Sequence, residues 1–302
     1  MKIVLSYLSM IRPGNVLMTG TAVALGAWLS HGFSDIRAVT LLAACAMSAV
    51  GYGNVINDIR DIATDRISHP HRALPRGLVS MEAAIIFAFF LFSFATVNAF
   101  MVSRVHGIGA VAALALLTGY AFFLKATPFA GNILVSLLVA YPLVFGGLTA
   151  PLMARLLIPA SLAFLLNMAR EIIKDIQDEQ GDRLAGLTTT AILPKNILKG
   201  ILIAIAIIYA GLLFLPFGLR QFGIVYALIC ACIALPIHAF WTALIARKPT
   251  NQNELKQSLK DGDTGKNTAV FTDKQLSSVS FLIKIEMLAG LAAMAADQLF
   301  SK

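Results

Sequence analysis

The chain has 302 residues, of which 58% are hydrophobic and only 13% are charged, and its mean hydropathy is +0.79. Soluble domains carry roughly 25% charged residues, so this composition excludes an ordinary soluble domain and predicts an integral membrane protein. The formal net charge of +8 does not indicate nucleic-acid binding, because the basic residues lie in short segments between apolar runs rather than on one polar face.

Apolar runs between charges predict nine membrane-spanning helices, since one span needs about 20 predominantly apolar residues. In chain order they lie at about 14–31, 37–56, 81–103, 106–124, 130–149, 152–174, 198–218, 222–246 and 278–299. We therefore expect an all-α membrane protein in which residues 1–302 form a single membrane-embedded domain. The polar stretch 247–278 is predicted to be a loop between the eighth and ninth spans.

The distribution of basic residues predicts the orientation of these spans. Most of the 24 lysines and arginines lie in the N-terminal segment and in the loops after spans 2, 4, 6 and 8. Cytoplasmic loops carry the excess of Lys and Arg, so the N-terminus and these loops are predicted to be cytoplasmic. We expect a multi-pass protein of the cell membrane.

The cysteines and histidines show no spacing typical of metal ligands. Cys45, Cys230 and Cys232 lie inside apolar runs and are interpreted as small buried hydrophobic residues. No role is predicted for the five histidines, which are His31, His69, His71, His106 and His238.

Two aspartate motifs with the same spacing follow the second and sixth spans. Both have the pattern D-x-x-D-x-x-x-D-R, and each aspartate of the second motif lies 117 residues after its counterpart (58 to 175, 61 to 178, 65 to 182). Spacings of three and four residues place the three carboxylates of a motif on one side of a helix. Such carboxylates repel one another unless they bind cations.

The two motifs predict a site for Mg²⁺ and a diphosphate. Mg²⁺ is typically held by one or two carboxylates together with substrate phosphates, and two acidic motifs on one membrane side favour a diphosphate bridged between them. The predicted metal ligands are Asn57, Asp58, Asp61, Asp65, Asp175, Asp178 and Asp182, of which Asp61, Asp65, Asp178 and Asp182 are the predicted catalytic residues.

Basic residues near both motifs are candidates for binding phosphate oxygens. Arginine offers a planar fork of donors to phosphate, whereas lysine offers a point charge. The candidates are Arg66, Arg72, Lys125, Lys174 and Arg183. For Arg76, Lys195 and Lys199 a role in membrane topology is at least as consistent with the sequence.

Two other interpretations of the acidic motifs remain open at this point. They could be solvated loop charges, although the repeated spacing disfavours that. They could also line a cation path in a secondary transporter, although transporter sites usually lie near the bilayer midplane rather than at span ends.

Several segments resemble the UbiA family of intramembrane prenyltransferases. NDIRDIATD at 57–65 resembles its first motif, NDxxDxxxD, and DIQDEQGD at 175–182 resembles its second. Further similar segments are IRPGN at 11–15, HPHRALPRG at 69–77, where His69 and Ala73 depart from the usual Asn and Pro, and YAFFLKATPFAGN at 120–132. Within the family, REIIKDIQDEQGD is most similar to the digeranylgeranylglyceryl phosphate synthase branch.

The resemblance implies nine helices around a central cavity, with an active site on the cytoplasmic side. It also implies Mg²⁺-dependent transfer of a prenyl group, best taken as geranylgeranyl, from its diphosphate to a lipophilic acceptor such as geranylgeranylglyceryl phosphate. Residues expected to face the substrates are Arg12, Asn15, Asn54 and Tyr120. An aromatic quinone precursor and chlorophyllide are the alternative acceptors. A soluble-type terpene synthase also uses aspartate motifs, but nine apolar spans argue against it.

Overall fold

The computed structural model describes residues 2–31, 35–184, 186–247 and 271–300, and every regular element within these ranges is helical. We number the α-helices in chain order: α1 Lys2–Ile11, α2 Pro13–His31, α3 Ile36–Arg60, α4 Ile62–Ser68, α5 Met81–Val102, α6 Arg104–Gly119, α7 Ala130–Gly146, α8 Leu157–Leu184, α9 Lys195–Leu213, α10 Leu215–Gly218, α11 Ile224–Ile229, α12 Leu235–Ala246 and α13 Asp273–Phe300. Single π turns at Tyr120–Leu124 and Cys230–Ala234 extend α6 and connect α11 to α12.

Seven helical segments of the described ranges are long and apolar enough to cross a membrane, so the prediction of a multi-span helical protein is confirmed. They are Ile36–Arg60, Met81–Val102, Arg104–Leu124, Met153–Glu179, Lys195–Gly218, Ile224–Ala246 and Asp273–Phe300. The two remaining predicted ranges are taken by α2 and by the shorter apolar helix α7.

The helix boundaries differ from the sequence expectation at α1, at the end of α8 and at the start of α13. The first helix, α1, precedes the predicted spans; its run of ten residues is too short to be recognised as a span, and it buries Met10 while Val4 and Leu5 stay exposed. The helix α8 continues to Leu184, ten residues beyond the end of the apolar run, and Gly186 follows it with a φ of +69°. The second aspartate motif is therefore entirely helical.

The chain forms two compact units, of which unit 1 contains Met1–Phe164 and Gln180–Thr188. Its core lies largely between α3 and α5, where α5 presents buried alanines spaced by four or seven residues, including Ala84, Ala88 and Ala95. Small residues allow helix backbones to approach closely, and close packing is the main source of helix association in lipid.

Unit 2 contains Leu165–Glu179 and Thr189–Lys302. Its core is formed by α9, α11, α12 and α13, and α12 packs against both α9 and α13. Large side chains such as Tyr209, Tyr226 and Trp241 are at most 2% exposed there.

The predicted polar loop at 247–278 falls largely on residues 248–270, which lie outside the described residues. The last helix begins at Asp273, five residues before the expected start of the ninth span.

Candidate active site at the aspartate motifs

The first aspartate motif lies at the end of α3 and in α4. Asp61 follows the last residue of α3, and its backbone N–H donates to the Asn57 carbonyl at 2.8 Å. The backbone N–H of Asp65 donates in turn to the Asp61 carbonyl at 2.7 Å. This near-continuous helical path keeps the three carboxylates one turn apart, as their spacing predicted. Asp58 and Asp65 are only 5% and 3% exposed.

Three cations contact these carboxylates, and two of them, Arg12 and Lys125, come from distant parts of the sequence. Arg12 Nη2 donates to Asp58 Oδ1 at 3.0 Å, and Lys125 Nζ forms an ion pair with Asp61. Arg72 Nη1 lies 2.8 and 2.7 Å from the two oxygens of Asp65 and 3.6 Å from Asp58 Oδ1. Burying carboxylates is strongly unfavourable without such partners, so the three cations make the buried motif possible.

The position of Arg12 is fixed by the junction between α1 and α2. Arg12 has a φ of +56°, in the left-handed region that side chains other than glycine seldom adopt. The Asn54 side-chain amide donates to the Ile11 carbonyl at 2.8 Å, which ties this junction to α3. Arg12 and Asn54, both expected to face substrate, therefore also hold the first motif in place.

Lys125 is positioned by the π turn at the end of α6. Its backbone N–H donates to the Tyr120 carbonyl, five residues earlier, at 2.9 Å. A π turn contains one residue more than an α turn and is found frequently at functional sites. Tyr120 begins this turn and is half-buried.

The oxygen donors of the first motif fit a hard cation that also binds phosphate. Among the residues that the structure describes, Asn57 Oδ1 is buried without a hydrogen-bond partner, and Asp58, Asp61 and Asp65 add carboxylate oxygens. Within the part of the chain that the structure describes, no three His, Cys, Asp or Glu side chains are grouped closely enough to hold a metal by themselves. Such a donor set fits Mg²⁺, which commonly takes one or two carboxylates and completes its shell with water and substrate phosphates.

The second aspartate motif lies on α8, where the helical spacing places its carboxylates on one side. Asp175 Oδ2 accepts from the Thr190 backbone N–H at 3.2 Å. Asp182 is 8% exposed, and Asp178 is half-buried. Asp175 and Asp178 belong to unit 2 and Asp182 to unit 1.

A buried glutamate beside the second motif was missed by the sequence analysis. Glu171 is 7% exposed and accepts from Lys174 Nζ at 2.9 and 3.0 Å and from Arg170 Nη1 at 3.1 Å. Lys174, a predicted diphosphate ligand, is thus paired with Glu171. The spacing of three residues between Glu171 and Lys174 was the available signal.

The remaining candidates lie at the surface or beside helix ends. Arg66 and Arg183 are exposed. Asn15 is half-buried in the first turn of α2, and its backbone N–H donates to the Arg12 carbonyl at 2.9 Å. Among the predicted site residues, the structure brings together Asp58, Asp61 and Asp65 within unit 1. Their basic partners there are Arg12, Lys125 and Arg72.

Comparison with known proteins identifies the family. The profile of the UbiA prenyltransferase family matches residues 17–259. The chain belongs to the UbiA prenyltransferase family. As a member of this family with several membrane-spanning helices, it is a multi-pass membrane protein and a prenyltransferase.

Similar members of the UbiA family include two archaeal digeranylgeranylglyceryl phosphate synthases. The one from Methanothermobacter thermautotrophicus is 34% identical over 239 residues, which cover 79% of this chain and 84% of the relative. The one from Methanoregula boonei is 41% identical over 189 residues, covering 62% of this chain and 67% of the relative.

Solved structures share the fold. A structure described as digeranylgeranylglyceryl phosphate synthase in membranes has a TM-score of 0.73 and 26% identity, and the match covers 99% of each chain. A UbiA homologue from Archaeoglobus fulgidus, bound to GPP and Mg²⁺, has a TM-score of 0.56 and 16% identity, covering 96% of this chain and 99% of its own. The second likeness shows the fold alone.

Proposed function

We propose that the protein transfers a geranylgeranyl group from geranylgeranyl diphosphate to geranylgeranylglyceryl phosphate, in a reaction that depends on Mg²⁺. The observation that carries this proposal is the first motif, where buried carboxylates lie beside three basic side chains. The choice of acceptor is supported by relatives that are named digeranylgeranylglyceryl phosphate synthases and are 34% and 32% identical over most of this chain.

Both motifs would supply metal ligands. Those of the first are Asn57, Asp58, Asp61 and Asp65, and those of the second are Asp175, Asp178 and Asp182. When bound, Mg²⁺ would neutralise the negative charge that grows on the diphosphate as its bond to carbon breaks. UbiA homologues from A. fulgidus bound to GPP or to DMAPP, each with Mg²⁺, support the use of Mg²⁺ together with a prenyl diphosphate. Asp61, Asp65, Asp178 and Asp182 are the residues proposed to be catalytic.

The basic residues would bind the oxygens of the diphosphate and stabilise it as a leaving group. They are Arg66, Arg72, Lys125, Lys174 and Arg183. Fixed donors aimed at developing negative charge lower the barrier most where water is excluded. Arg72 and Lys125 already lie at the first motif, within contact of its carboxylates.

The reaction exchanges one carbon–oxygen bond for another. The bond between the allylic carbon and the diphosphate breaks, and both bonding electrons leave with the diphosphate. The hydroxyl oxygen of the acceptor then forms an ether bond to that carbon and loses its proton to solvent or to the diphosphate. Arg12, Asn15, Asn54 and Tyr120 are proposed to line the path of the substrates.

We also propose a topology for the whole chain, residues 1–302, as a single membrane domain. It would have nine spans in the cell membrane, with the N-terminus and the active site on the cytoplasmic side. The distribution of Lys and Arg supports this orientation. The polar segment predicted at 247–278, shortened at its end by the start of α13 at Asp273, would lie on the cytoplasmic side.

The acceptor can be tested with purified protein in liposomes, supplied with Mg²⁺, labelled geranylgeranyl diphosphate and one acceptor at a time. We expect labelled product with geranylgeranylglyceryl phosphate and little with an aromatic acid or chlorophyllide. Preferred labelling of either alternative acceptor would overturn the proposed acceptor. Cation-driven uptake without any release of diphosphate would instead indicate a transporter.

A further inference from the structure

A cluster of polar side chains is buried in unit 2, among helices that are apolar enough to span the membrane. His238 and Trp241 of α12 are 4% and 1% exposed, and Glu286 of α13 is fully buried. Ionisable residues within membrane spans are rare because they are costly to bury, and they commonly have a specific role. The sequence analysis gave no role to His238 and did not consider Glu286.

The hydrogen bonds of this cluster join three helices. His238 Nδ1 lies 2.9 Å from Glu286 Oε1 on α13, and His238 Nε2 lies 3.1 Å from the carbonyl oxygen of Ala206 on α9. Trp241 Nε1 donates to Glu286 Oε2 at 2.6 Å. The ring of Tyr209 stacks on the imidazole, with ring centroids 4.8 Å apart. His238 therefore bridges α9 and α13 from α12.

The partners determine where the protons lie. A carbonyl oxygen only accepts, so Nε2 of His238 carries a hydrogen, and the indole N–H of Trp241 only donates, so Oε2 of Glu286 accepts. A single proton then lies between Nδ1 and Oε1. Whichever atom holds it, the pair has no net charge, which is what the hydrocarbon region requires.

The helices joined by His238 also contact α8 on either side of Asp178. Gln177 and Glu179 flank Asp178 on α8, and both are anchored within unit 2. Gln177 Nε2 donates to Ser277 Oγ on α13 at 3.0 Å, and Glu179 forms an ion pair with Lys195 at the start of α9. The two anchors of Asp178 thus lie on the two helices that His238 connects.

We propose that His238, Glu286 and Trp241 are positioning residues for Asp178. By fixing α9 relative to α13, the cluster sets the positions of Lys195 and Ser277. These two residues in turn determine the position and orientation of the Asp178 side chain. The inference rests on the proposed function, since it assumes that Asp178 helps to bind Mg²⁺ and diphosphate. Residues that orient metal ligands typically change metal affinity or activity about 10- to 100-fold when replaced.

The conservative variant Glu286→Gln and the disruptive variant Glu286→Leu separate the loss of these hydrogen bonds from the loss of the carboxyl group alone. A glutamine amide oxygen can accept from Trp241, its N–H can donate to Nδ1, and Nε2 keeps its bond to Ala206. Leucine removes both bonds at this position. Tyr226→Phe is the matched control, because it removes a different buried hydrogen bond, from the Tyr226 hydroxyl to the Leu213 carbonyl at 2.8 Å, at the far end of α9.

Binding is measured as the rise in unfolding temperature of detergent-solubilised protein on titration with Mg²⁺ and geranylgeranyl S-thiolodiphosphate. In this analogue the bond between the allylic carbon and the leaving group resists cleavage. We expect Glu286→Leu to raise the half-saturating concentration about 10-fold or more. For Glu286→Gln and Tyr226→Phe the half-saturating concentration should stay within about twofold of the wild-type value. Wild-type binding by folded Glu286→Leu, or equal weakening by Tyr226→Phe, would overturn the proposal.

Two further variants complete the test. If Glu286→Leu does not fold, the triple variant His238→Phe, Trp241→Phe, Glu286→Leu replaces the cluster with apolar groups, a change that buried ion pairs often tolerate. Its binding should be weakened like that of Glu286→Leu, and unchanged binding would contradict the proposal. Asp178→Ala tests the proposed function separately, since unchanged binding in that variant would remove the assumption that Asp178 helps to bind Mg²⁺ and diphosphate.

Discussion

At the scale of single residues, the first aspartate motif is organised by which cation contacts which carboxylate. Arg72 has the most specific geometry, because one guanidinium nitrogen lies within 2.8 Å of both oxygens of Asp65 and 3.6 Å from Asp58. A guanidinium offers several donors in one plane, whereas a lysine ammonium is a compact charge with a different reach. The identity of this residue should therefore matter as well as its charge.

We predict that Arg72→Lys lowers kcat/KM for the prenyl diphosphate about 10-fold, which corresponds to the loss of about one charge-assisted hydrogen bond. Steady-state kinetics with labelled geranylgeranyl diphosphate measures this change. Arg60→Lys is the matched control, since Arg60 is exposed at the end of α3 and should retain the wild-type value. Equal kinetics for Arg72→Lys and the wild type would show that charge alone suffices at this position.

The residues of the first motif could be predicted from the sequence, but their partners could not. Regular spacing identified Asp58, Asp61 and Asp65 because it depends only on the helical repeat. The contact of Arg12 with Asp58 depends on a left-handed residue at the α1–α2 junction. The contact of Lys125 with Asp61 depends on the π turn before it. Neither backbone feature has a periodic signal in the sequence.

At the scale of helices, α2 and α7 approach each other closely within unit 1. A side chain at Gly26 would overlap the Leu143 carbonyl oxygen, and one at Gly146 would overlap the Val23 carbonyl oxygen. The two glycines thus allow each backbone to contact the other directly. Helix association in lipid depends on such packing, because apolar side chains gain little by leaving lipid for protein.

We predict that Gly26→Ala destabilises the protein by about 3 kcal/mol, since the added methyl group overlaps backbone atoms that cannot move alone. The measurement is unfolding in detergent. Gly211→Ala in α9 is the control, because nothing lies within 4 Å of its added Cβ, and it should raise stability by up to about 1 kcal/mol. Equal stability of Gly26→Ala and the wild type would contradict the close approach.

Hydropathy predicted the existence of the helices better than their ends. The apolar run of the sixth span ends near residue 174, but α8 continues to Leu184. Aspartates near a helix C-terminus oppose the helix dipole. Here the contacts of Asp175 with Thr190 and of Glu179 with Lys195 offset that cost. These contacts join residues of α8 to a segment that follows it in the chain. A local hydropathy pattern cannot predict such contacts.

At the scale of the whole molecule, the apolar composition, the long apolar helices and the family all indicate a membrane-embedded protein. Large apolar side chains such as Phe89, Phe123 and Ile207 are well exposed, as expected of helices whose outer surfaces face lipid. Polar residues are buried instead, in the first motif of unit 1 and around Glu286 in unit 2. This inverted distribution could be predicted only in outline, because hydropathy does not identify which polar residue is buried against which partner.

The central claim is that both aspartate motifs serve one Mg²⁺-dependent prenyl transfer. The most direct test compares wild-type protein with Asp61→Ala and Asp178→Ala, one from each motif, in liposomes with labelled geranylgeranyl diphosphate and geranylgeranylglyceryl phosphate. Transfer should require Mg²⁺, stop on chelation, and fall by at least about 100-fold in each variant, because each removes a proposed metal ligand. Full transfer by either variant, or by the wild type after chelation, would contradict the account.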